Sequence, residues 1–148
     1  MLTAVMGAMP DEIDQLAARM DGCTAETYAG VEYVKGRLAG QDVVLCCAGM
    51  GKANAASTVQ VLATRYGADR LIFSGIAGNM SDRIGVGDVV IGRDVVYHDA
   101  EPEMICQSAP FLKTFKGDET LIAAAEAACT ALGVKYLTGT IATGDQFV

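Results

Sequence analysis

A carboxylate follows directly on a glycine turn near the start of the chain, at the kind of turn where many proteins hold phosphate. In the stretch "VMGAMPDEIDQL", residues 5–16, an apolar run ends at Gly7 and a helix-like pattern begins with Asp11 and Glu12 in its first turn. Backbone N–H groups at a strand-to-helix turn favour an anion. This turn contains no Arg or Lys. Taken alone, Glu12 can be explained without any function, as an acidic residue in the first turn of a helix that the helix dipole stabilises.

Four glycine-containing turns follow predicted strands. They are Gly7–Met9, Gly49–Gly51, Gly75–Gly78 and Thr143–Asp145. If the preceding strands are parallel, all four turns meet at one edge of a sheet, where α/β folds bind ligands. The side chains offered there are Met9, Met50, Ile76 and Phe147, an apolar lining suited to a flat ring and a thioether. Each turn by itself is more simply read as a tight connection after a strand.

Other familiar motifs are incomplete. A phosphate-binding P-loop around "AGMGKA" needs a glycine where Cys46 stands, and Ser or Thr where Ala53 stands. The five cysteines are odd in number and form no CxxC pair, so we expect reduced structural thiols in a cytoplasmic protein rather than a zinc site or a disulfide scaffold. His98 is the only histidine and lies next to Asp99. A structural role and a catalytic role both stay open for it.

Length and composition predict one globular domain over residues 1–148, with 51% apolar and 20% charged residues. The formal charge of −7 disfavours nucleic acid and anionic membranes as partners. No apolar run is long enough to cross a bilayer, and the N-terminus lacks the basic start of a secretory signal. We expect a small-molecule substrate.

Alternating strand and helix patterns predict an α/β fold with a mixed, twisted central sheet and helices on both faces. The predicted helices cover residues 10–21, 51–67 and 118–133, and the predicted strands include 2–7, a succession over 26–48, and the stretches around 69–75, 85–99 and 135–145. Ile13, Leu16, Ala17 and Met20 share one face of the first helix. Residues 101–117 show no clean period and are predicted to form a long, functional loop. The chain stops directly after a strand, which leads us to expect that the natural protein continues or that another chain covers this end.

Five segments occur in the order and spacing of the nucleoside phosphorylase superfamily. They are "GAMPDEI", "AGMGKANAA", "SGIAGN", "VGDVV…YHDA" and "ATGDQF". Within that superfamily the whole chain most resembles the methylthioadenosine/S-adenosylhomocysteine nucleosidases. The resemblance implies their three-layer fold, a homodimer and no cofactor. Because those enzymes are considerably longer, it also implies that this chain is the N-terminal portion of one.

The resemblance also implies the choice of nucleophile. The phosphorylases place phosphate-binding arginines in the first βα turn and just before the "SG" motif, where this chain has Asp11, Glu12 and Phe73. A carboxylate repels phosphate but can orient and deprotonate water. The expected activity is therefore hydrolysis of the N-glycosidic bond of 5′-methylthioadenosine or S-adenosylhomocysteine, with Glu12 holding the attacking water.

By the same carry-over, most of the apolar turn residues are expected to bind substrate. Met9 and Met50 line the ribose and the 5′-thio group. Ile76, Ala77 and Gly78 pack beside the sugar and the base, with Ile76 replacing a residue that is often small and hydroxylated in the family. Phe147 stacks on adenine, and the backbone of Val148 hydrogen-bonds to its edge; an ordinary core aromatic is the alternative for Phe147.

Two carboxylates of the family are missing from residues 1–148, the Asp that protonates adenine and the Glu that binds the ribose hydroxyls. Acid catalysis is worth about 100- to 10,000-fold, so residues 1–148 alone are expected to be a poor catalyst. Three alternatives stay open: a hydrolase of futalosine-type purine nucleosides, a non-catalytic truncated homologue that binds an adenine nucleoside, and a purely structural α/β domain.

Overall fold

The computed structural model describes residues 1–147, and Val148 lies outside the described residues. The chain divides into two compact units, Met1–Ala77 and a second unit that begins at Gly78. Each unit contains its own sheet, one of five strands and one of three. The prediction of a single domain over residues 1–148 stays a prediction.

The elements alternate between strands and helices along the chain. In the first unit they are β1 (Thr3–Gly7), a 3₁₀ turn (Pro10–Glu12), α1 (Asp14–Ala17), β2 (Asp21–Tyr28), β3 (Val31–Leu38), β4 (Gln41–Cys47), α2 (Lys52–Thr64) and β5 (Arg70–Phe73). In the second unit they are β6 (Val89–Tyr97), α3 (Pro102–Ile105), β7 (Phe115–Lys116), α4 (Glu119–Leu132) and β8 (Tyr136–Thr143). The α/β class with a mixed sheet is confirmed.

The first sheet has the strand order β2-β3-β4-β1-β5. β1 is parallel to both β4 and β5, while β2, β3 and β4 form an antiparallel meander. Gly7 pairs with Cys47, and Met6 pairs with Phe73. The carboxyl ends of β1, β4 and β5 therefore lie side by side at one edge of this sheet.

Helices cover both faces of the first sheet. On one face Leu62 of α2 packs with the buried strand residues Ala4, Val44 and Cys46. On the other face Ile13 packs with Val5, Val43 and Leu45. Leu16, Ala17 and Met20 join Ile13 there, so the predicted apolar face is confirmed.

The helix predicted over residues 10–21 is wrong in length. The chain forms a 3₁₀ turn over Pro10–Glu12 and a short helix over Asp14–Ala17, and β2 begins at Asp21. Ile13 separates the two segments with a φ of −122°, and only 8% of it is exposed. Burial of Ile13 against the sheet therefore outweighs continuation of the helix through this position.

The second sheet has the order β7-β6-β8, in which β6 is parallel to β8 and antiparallel to β7. Helix α4 connects β7 to β8. Its N-terminus is capped by Asp118, whose carboxylate accepts a hydrogen bond from Leu121 N at 3.0 Å. Its C-terminus ends at Gly133, which has the left-handed φ of 64° that favours glycine.

The segment predicted as a loop over residues 101–117 contains two short regular elements, α3 and β7. β7 pairs with β6 where the buried Asp94 forms ion pairs with Lys116 and with Arg93. The hydrogen bond from Lys116, and to a smaller extent that from Arg93, lowers the pKa of Asp94. The buried charge of Asp94 is thus compensated by ion pairs, one of which joins the short strand β7 to the sheet. Hydrophobic periodicity cannot reveal a strand of only two residues, so β7 was not predicted.

Candidate active site

Three of the four predicted glycine turns come together in the first unit. They follow β1, β4 and β5, the parallel strands that end at the same edge. The fourth turn follows β8 in the second unit. The expectation that the turns gather at one edge is met within the first unit for Met9, Met50 and Ile76.

Glu12 is the centre of this cluster, because its carboxylate connects two of the turns. Oε2 accepts hydrogen bonds from Ala8 N at 2.6 Å and from Met9 N at 2.9 Å. Oε1 accepts from Ile76 N, in the turn after β5, at 3.0 Å. Glu12 N in turn donates to Met9 O at 3.1 Å, so Glu12 and Met9 are linked in both directions, as in a helix-capping arrangement.

Two glycines make room for this carboxylate. A Cβ atom on Gly75 would lie 2.8 Å from Glu12 Oε1 and 3.1 Å from its Cδ. A Cβ atom on Gly7 would lie 2.7 Å from Ile13 Cγ2 and 3.3 Å from Glu12 Oε2. Only glycine fits at these two positions, one at the end of β1 and one in the turn after β5, so the glycines define where the carboxylate lies.

The electrostatics of Glu12 favour its charged form. Burial raises the pKa of the carboxyl group, but hydrogen bonds from Ile76, Met9 and Ala8 outweigh burial and leave the pKa below its usual value. Glu12 is therefore a carboxylate at neutral pH. An ionised carboxylate has about four lone-pair positions, and three of them are occupied by backbone donors. The remaining position, on Oε1, can accept a hydrogen bond from a small polar molecule.

The turn after β4 is held separately from Glu12. Asn54 of α2 donates through Nδ2 to Met50 O at 2.7 Å. Gly49 precedes it with a φ of 82°, and a Cβ atom there would approach Asn54 at 3.3 Å. The side chains of Met50 and Ile76 are 60% and 81% exposed. They are available as an apolar lining at the strand ends of the first unit.

Backbone groups are the part of this site that the sequence did not reveal. The sequence suggested side-chain roles for Met9 and Ile76, whereas the structure directs their backbone N–H groups, with that of Ala8, to the Glu12 carboxylate. A backbone donor leaves no signal in residue type. The available signal was steric, namely glycine at position 75 directly before the donor at position 76.

The remaining predicted residues lie in sequence at or after the boundary between the two units. Phe147 follows β8 and is 96% exposed, Ala77 and Gly78 lie at the boundary between the units, and Val148 lies outside the described residues. Asp99 Oδ2 accepts a hydrogen bond from Asp145 N at 2.8 Å, close before Phe147. The predicted binding roles of these residues stay predictions.

A cavity of about 150 Å³ lies in the second unit. It is lined by Val96, Tyr97, Ala100, Pro102, Ile105, Lys113 and Thr114. Within residues 1–147, no group of three or more His, Cys, Asp or Glu side chains is placed to hold a metal ion. No helix in that described range is long and apolar enough to cross a membrane.

Comparison with known families defines the class of protein. The phosphorylase superfamily matches residues 3–148. The chain belongs to this superfamily.

Within this superfamily, the chain is similar to individual proteins of known name. The chain is 38% identical to a 5′-methylthioadenosine/S-adenosylhomocysteine nucleosidase from Shewanella piezotolerans; the match covers 100% of this chain and 66% of that protein. The solved nucleosidase of that name from Neisseria meningitidis, in complex with methylthio-immucillin-A, has a TM-score of 0.92 and 35% identity, covering 99% of this chain and 66% of its own. A futalosine hydrolase from Helicobacter pylori has a TM-score of 0.90 but 22% identity, which shows the shared fold alone. The chain thus spans slightly less than two thirds of the length of the nucleosidases it matches.

Proposed function

We propose that the protein is a nucleosidase that uses water to cleave the N-glycosidic bond of 5′-methylthioadenosine or S-adenosylhomocysteine. The products are adenine and a 5-thioribose. Similarity to nucleosidases of this name, at 38% and 35% identity, supports the substrate class. The hydrogen bonds of Glu12 support the choice of water over phosphate.

The observation that carries the proposal is that Glu12 occupies the donors a phosphate would need. Ala8, Met9 and Ile76 direct their N–H groups to its carboxylate at 2.6, 2.9 and 3.0 Å. A phosphate at this turn would meet satisfied donors and a fixed negative charge. Between Gly7 and Ile13 there is no Arg or Lys to offset that charge. The turn therefore disfavours an anionic nucleophile and leaves one acceptor position for water.

Glu12 has two tasks in the proposed reaction. Its free lone pair accepts a hydrogen bond from the attacking water and takes up the proton that the water loses as its oxygen bonds to the anomeric carbon. Its negative charge stabilises the positive charge that develops on the ribose as the C–N bond breaks. The electron pair of that bond leaves with adenine, and the departing base takes up a proton from the Asp that the family resemblance implies outside residues 1–148. The backbone donors that lower the pKa of Glu12 keep it ionised for the first task.

The remaining predicted residues complete the proposal. Met9, Met50 and Ile76 contact the ribose and the 5′-thio group, and Ala77 and Gly78 pack beside the sugar and the base. Phe147 stacks on adenine, and Val148 binds its edge. The exposure of Met50, Ile76 and Phe147, at 60%, 81% and 96%, is compatible with side chains that a ligand covers.

We also propose a homodimer in the cytoplasm. The segment 101–117 lines the cavity of about 150 Å³ and is placed by this proposal at the thio pocket of the partner subunit. All five cysteines are free thiols in the described structure, which supports a reducing compartment.

Substitution Glu12→Gln tests the proposal, with Asp11→Asn as the matched control in the same turn. The Gln side chain keeps the size of Glu12 but cannot take up the proton, so turnover is expected to fall by about 100- to 10,000-fold. Adenine affinity, measured by calorimetry, is expected to change little in both variants. Asp11 is exposed and is expected to tolerate the change.

Adenine release, measured for the wild type and the two variants at the protein's natural length, separates the alternatives. If the Glu12→Gln variant releases adenine as fast as the wild type, Glu12 has no part in the mechanism. Adenine binding without release in the wild type supports a binding protein instead. Faster cleavage of futalosine than of 5′-methylthioadenosine in a competition assay supports the other hydrolase.

A further inference from the structure

His98 and Asp99 are conspicuous in the sequence, yet the proposed chemistry does not use them. They directly follow β6, whose last residue, Tyr97, pairs with Thr143 at the end of the parallel strand β8. His98 N donates to Thr143 O at 3.0 Å and extends the ladder by one bond. The pair therefore lies beside the turn formed by residues 144–147, here called the base turn because it contains Phe147.

Asp99 bonds to the base turn directly. Its Oδ2 accepts the backbone N–H of Asp145 at 2.8 Å. A bond from a backbone N–H to a carboxylate is about twice as strong as one between neutral groups. It connects two positions that are 46 residues apart in sequence, so Asp99 restrains the turn from outside its own segment.

Gly144 gives a second, independent restraint. A Cβ atom at this position would lie 2.5 Å from His98 Nε2, 2.7 Å from His98 Cε1 and 2.8 Å from Asp99 Cγ. Glycine therefore allows the His98 ring and the Asp99 carboxylate to pack against the backbone of the turn. The turn is held by a hydrogen bond on one side and by close packing at its first residue.

Phe147 itself is 96% exposed, so its own packing does not fix its position. Its placement depends on the backbone of residues 144–146. An aromatic platform for a flat base gains affinity when its geometry is set before the ligand arrives.

We propose that Asp99 is a positioning residue for recognition of the nucleobase, acting through Asp145 to fix the base turn that presents Phe147, with His98 packed on Gly144. This inference rests on the proposed function, since it takes adenine as the ligand of Phe147. It assigns to the His98–Asp99 pair a role in binding and none in bond cleavage.

The size of the effect follows from the fraction of molecules in which the turn is correctly placed. Without the hydrogen bond to Asp99, the base turn samples other conformations. The apparent affinity for adenine then falls in proportion to the fraction of molecules in which the turn is correctly placed. Loss of one charge-assisted bond corresponds to a decrease of about tenfold or more. Asn at position 99 can accept the same N–H through its side-chain oxygen, so a decrease of about threefold is expected for this weaker neutral bond.

The experiment uses the variants Asp99→Ala and Asp99→Asn, with Asp82→Ala as a control carboxylate of the same unit. Asp82 is exposed. Calorimetry measures adenine affinity, and NMR hydrogen exchange of the Asp145 amide measures the anchor without any ligand. We expect Asp99→Ala to lose affinity by about tenfold or more and to accelerate exchange of the Asp145 amide. Asp99→Asn should lose about threefold in affinity and accelerate exchange less, and Asp82→Ala should match the wild type.

The two measurements distinguish failure of this inference from failure of the proposed function. Equal adenine affinity in wild type and Asp99→Ala overturns the inference and leaves the nucleosidase proposal standing. Absence of adenine binding in the wild type contradicts the proposed function. Whether or not adenine binds, unchanged exchange of the Asp145 amide in Asp99→Ala would show that Asp99 does not hold the base turn. If Asp99→Asn loses as much affinity as Asp99→Ala because both variants are destabilised, the positioning role of Asp99 is overturned.

Discussion

Substitution Gly75→Ala is predicted to displace the Glu12 carboxylate without touching Glu12 itself. The new Cβ atom would lie 2.8 Å from Oε1 and 3.1 Å from Cδ, closer than these atoms can approach. Glu12 cannot simply rotate away, because Oε2 is held by Ala8 N at 2.6 Å and by Met9 N at 2.9 Å. The contact that gives way is the bond from Ile76 N to Oε1.

The expected cost follows from that single bond. A hydrogen bond to a charged group contributes about 1.5–3 kcal/mol, and the exposure of Ile76 places this one near the lower end. Alanine in place of glycine returns about 0.4–1 kcal/mol by restricting the unfolded chain. Gly75→Ala is therefore expected to lower the free energy of unfolding by about 0.5–1 kcal/mol.

Gly78→Ala is the matched control, because a Cβ atom there meets nothing within 4 Å. Gly78→Ala should gain the stability that comes from restricting the unfolded chain, without losing a hydrogen bond. The free energies of unfolding of the two alanine variants are therefore expected to differ by about 1.5 kcal/mol. Urea unfolding measures that difference. A ¹³C NMR titration of the Glu12 carboxyl group measures its pKa, which should rise toward the ordinary value in Gly75→Ala only. Equal stability of the two variants together with an unchanged Glu12 pKa would show that a Cβ atom at position 75 does not displace the Glu12 carboxylate.

Two further predictions concern stability. Because folding lowers the pKa of Glu12, its ionised form stabilises the protein above the unfolded pKa of about 4.3, and this contribution is lost as the pH falls through the folded value. The difference in unfolding free energy between wild type and Glu12→Gln should therefore shrink on acidification below about pH 5; a constant difference in urea titrations would show that the pKa is not lowered. Leu62→Ala should cost about 2–5 kcal/mol because Leu62 is 2% exposed in the core of the first unit. Urea unfolding checks this value, and a loss well under 1 kcal/mol would mean that α2 does not pack on the sheet as described.

Much of the first unit could be predicted from the sequence, because its elements are long and strongly patterned. The strand ending at Gly7, the breaks at Gly30 and Gly40, and helix α2 all appear near their predicted positions. The helix predicted over residues 10–21 failed because its start is shaped by tertiary contacts. Burial of Ile13 and the return of the Glu12 side chain to Met9 replace regular helical bonding there.

The candidate site was predictable in its side chains and not in its backbone. Glu12 and the glycine turns stand out by residue type, and the resemblance assigned them chemistry. The bond from Ile76 N to Glu12 spans 64 residues and depends on how β5 pairs with β1, which residue types do not specify. The same holds for Asp99 and the Asp145 amide, a contact set by the pairing of β6 with β8.

We propose that a carboxylate occupies the phosphate position and that water is the nucleophile. The most direct test is to incubate the protein, at its natural length, with 5′-methylthioadenosine in the presence and absence of inorganic phosphate, and to identify the sugar product. We expect adenine and free 5-methylthioribose, formed at a rate that phosphate does not increase. Formation of 5-methylthioribose 1-phosphate, at a rate that depends on phosphate, would contradict it.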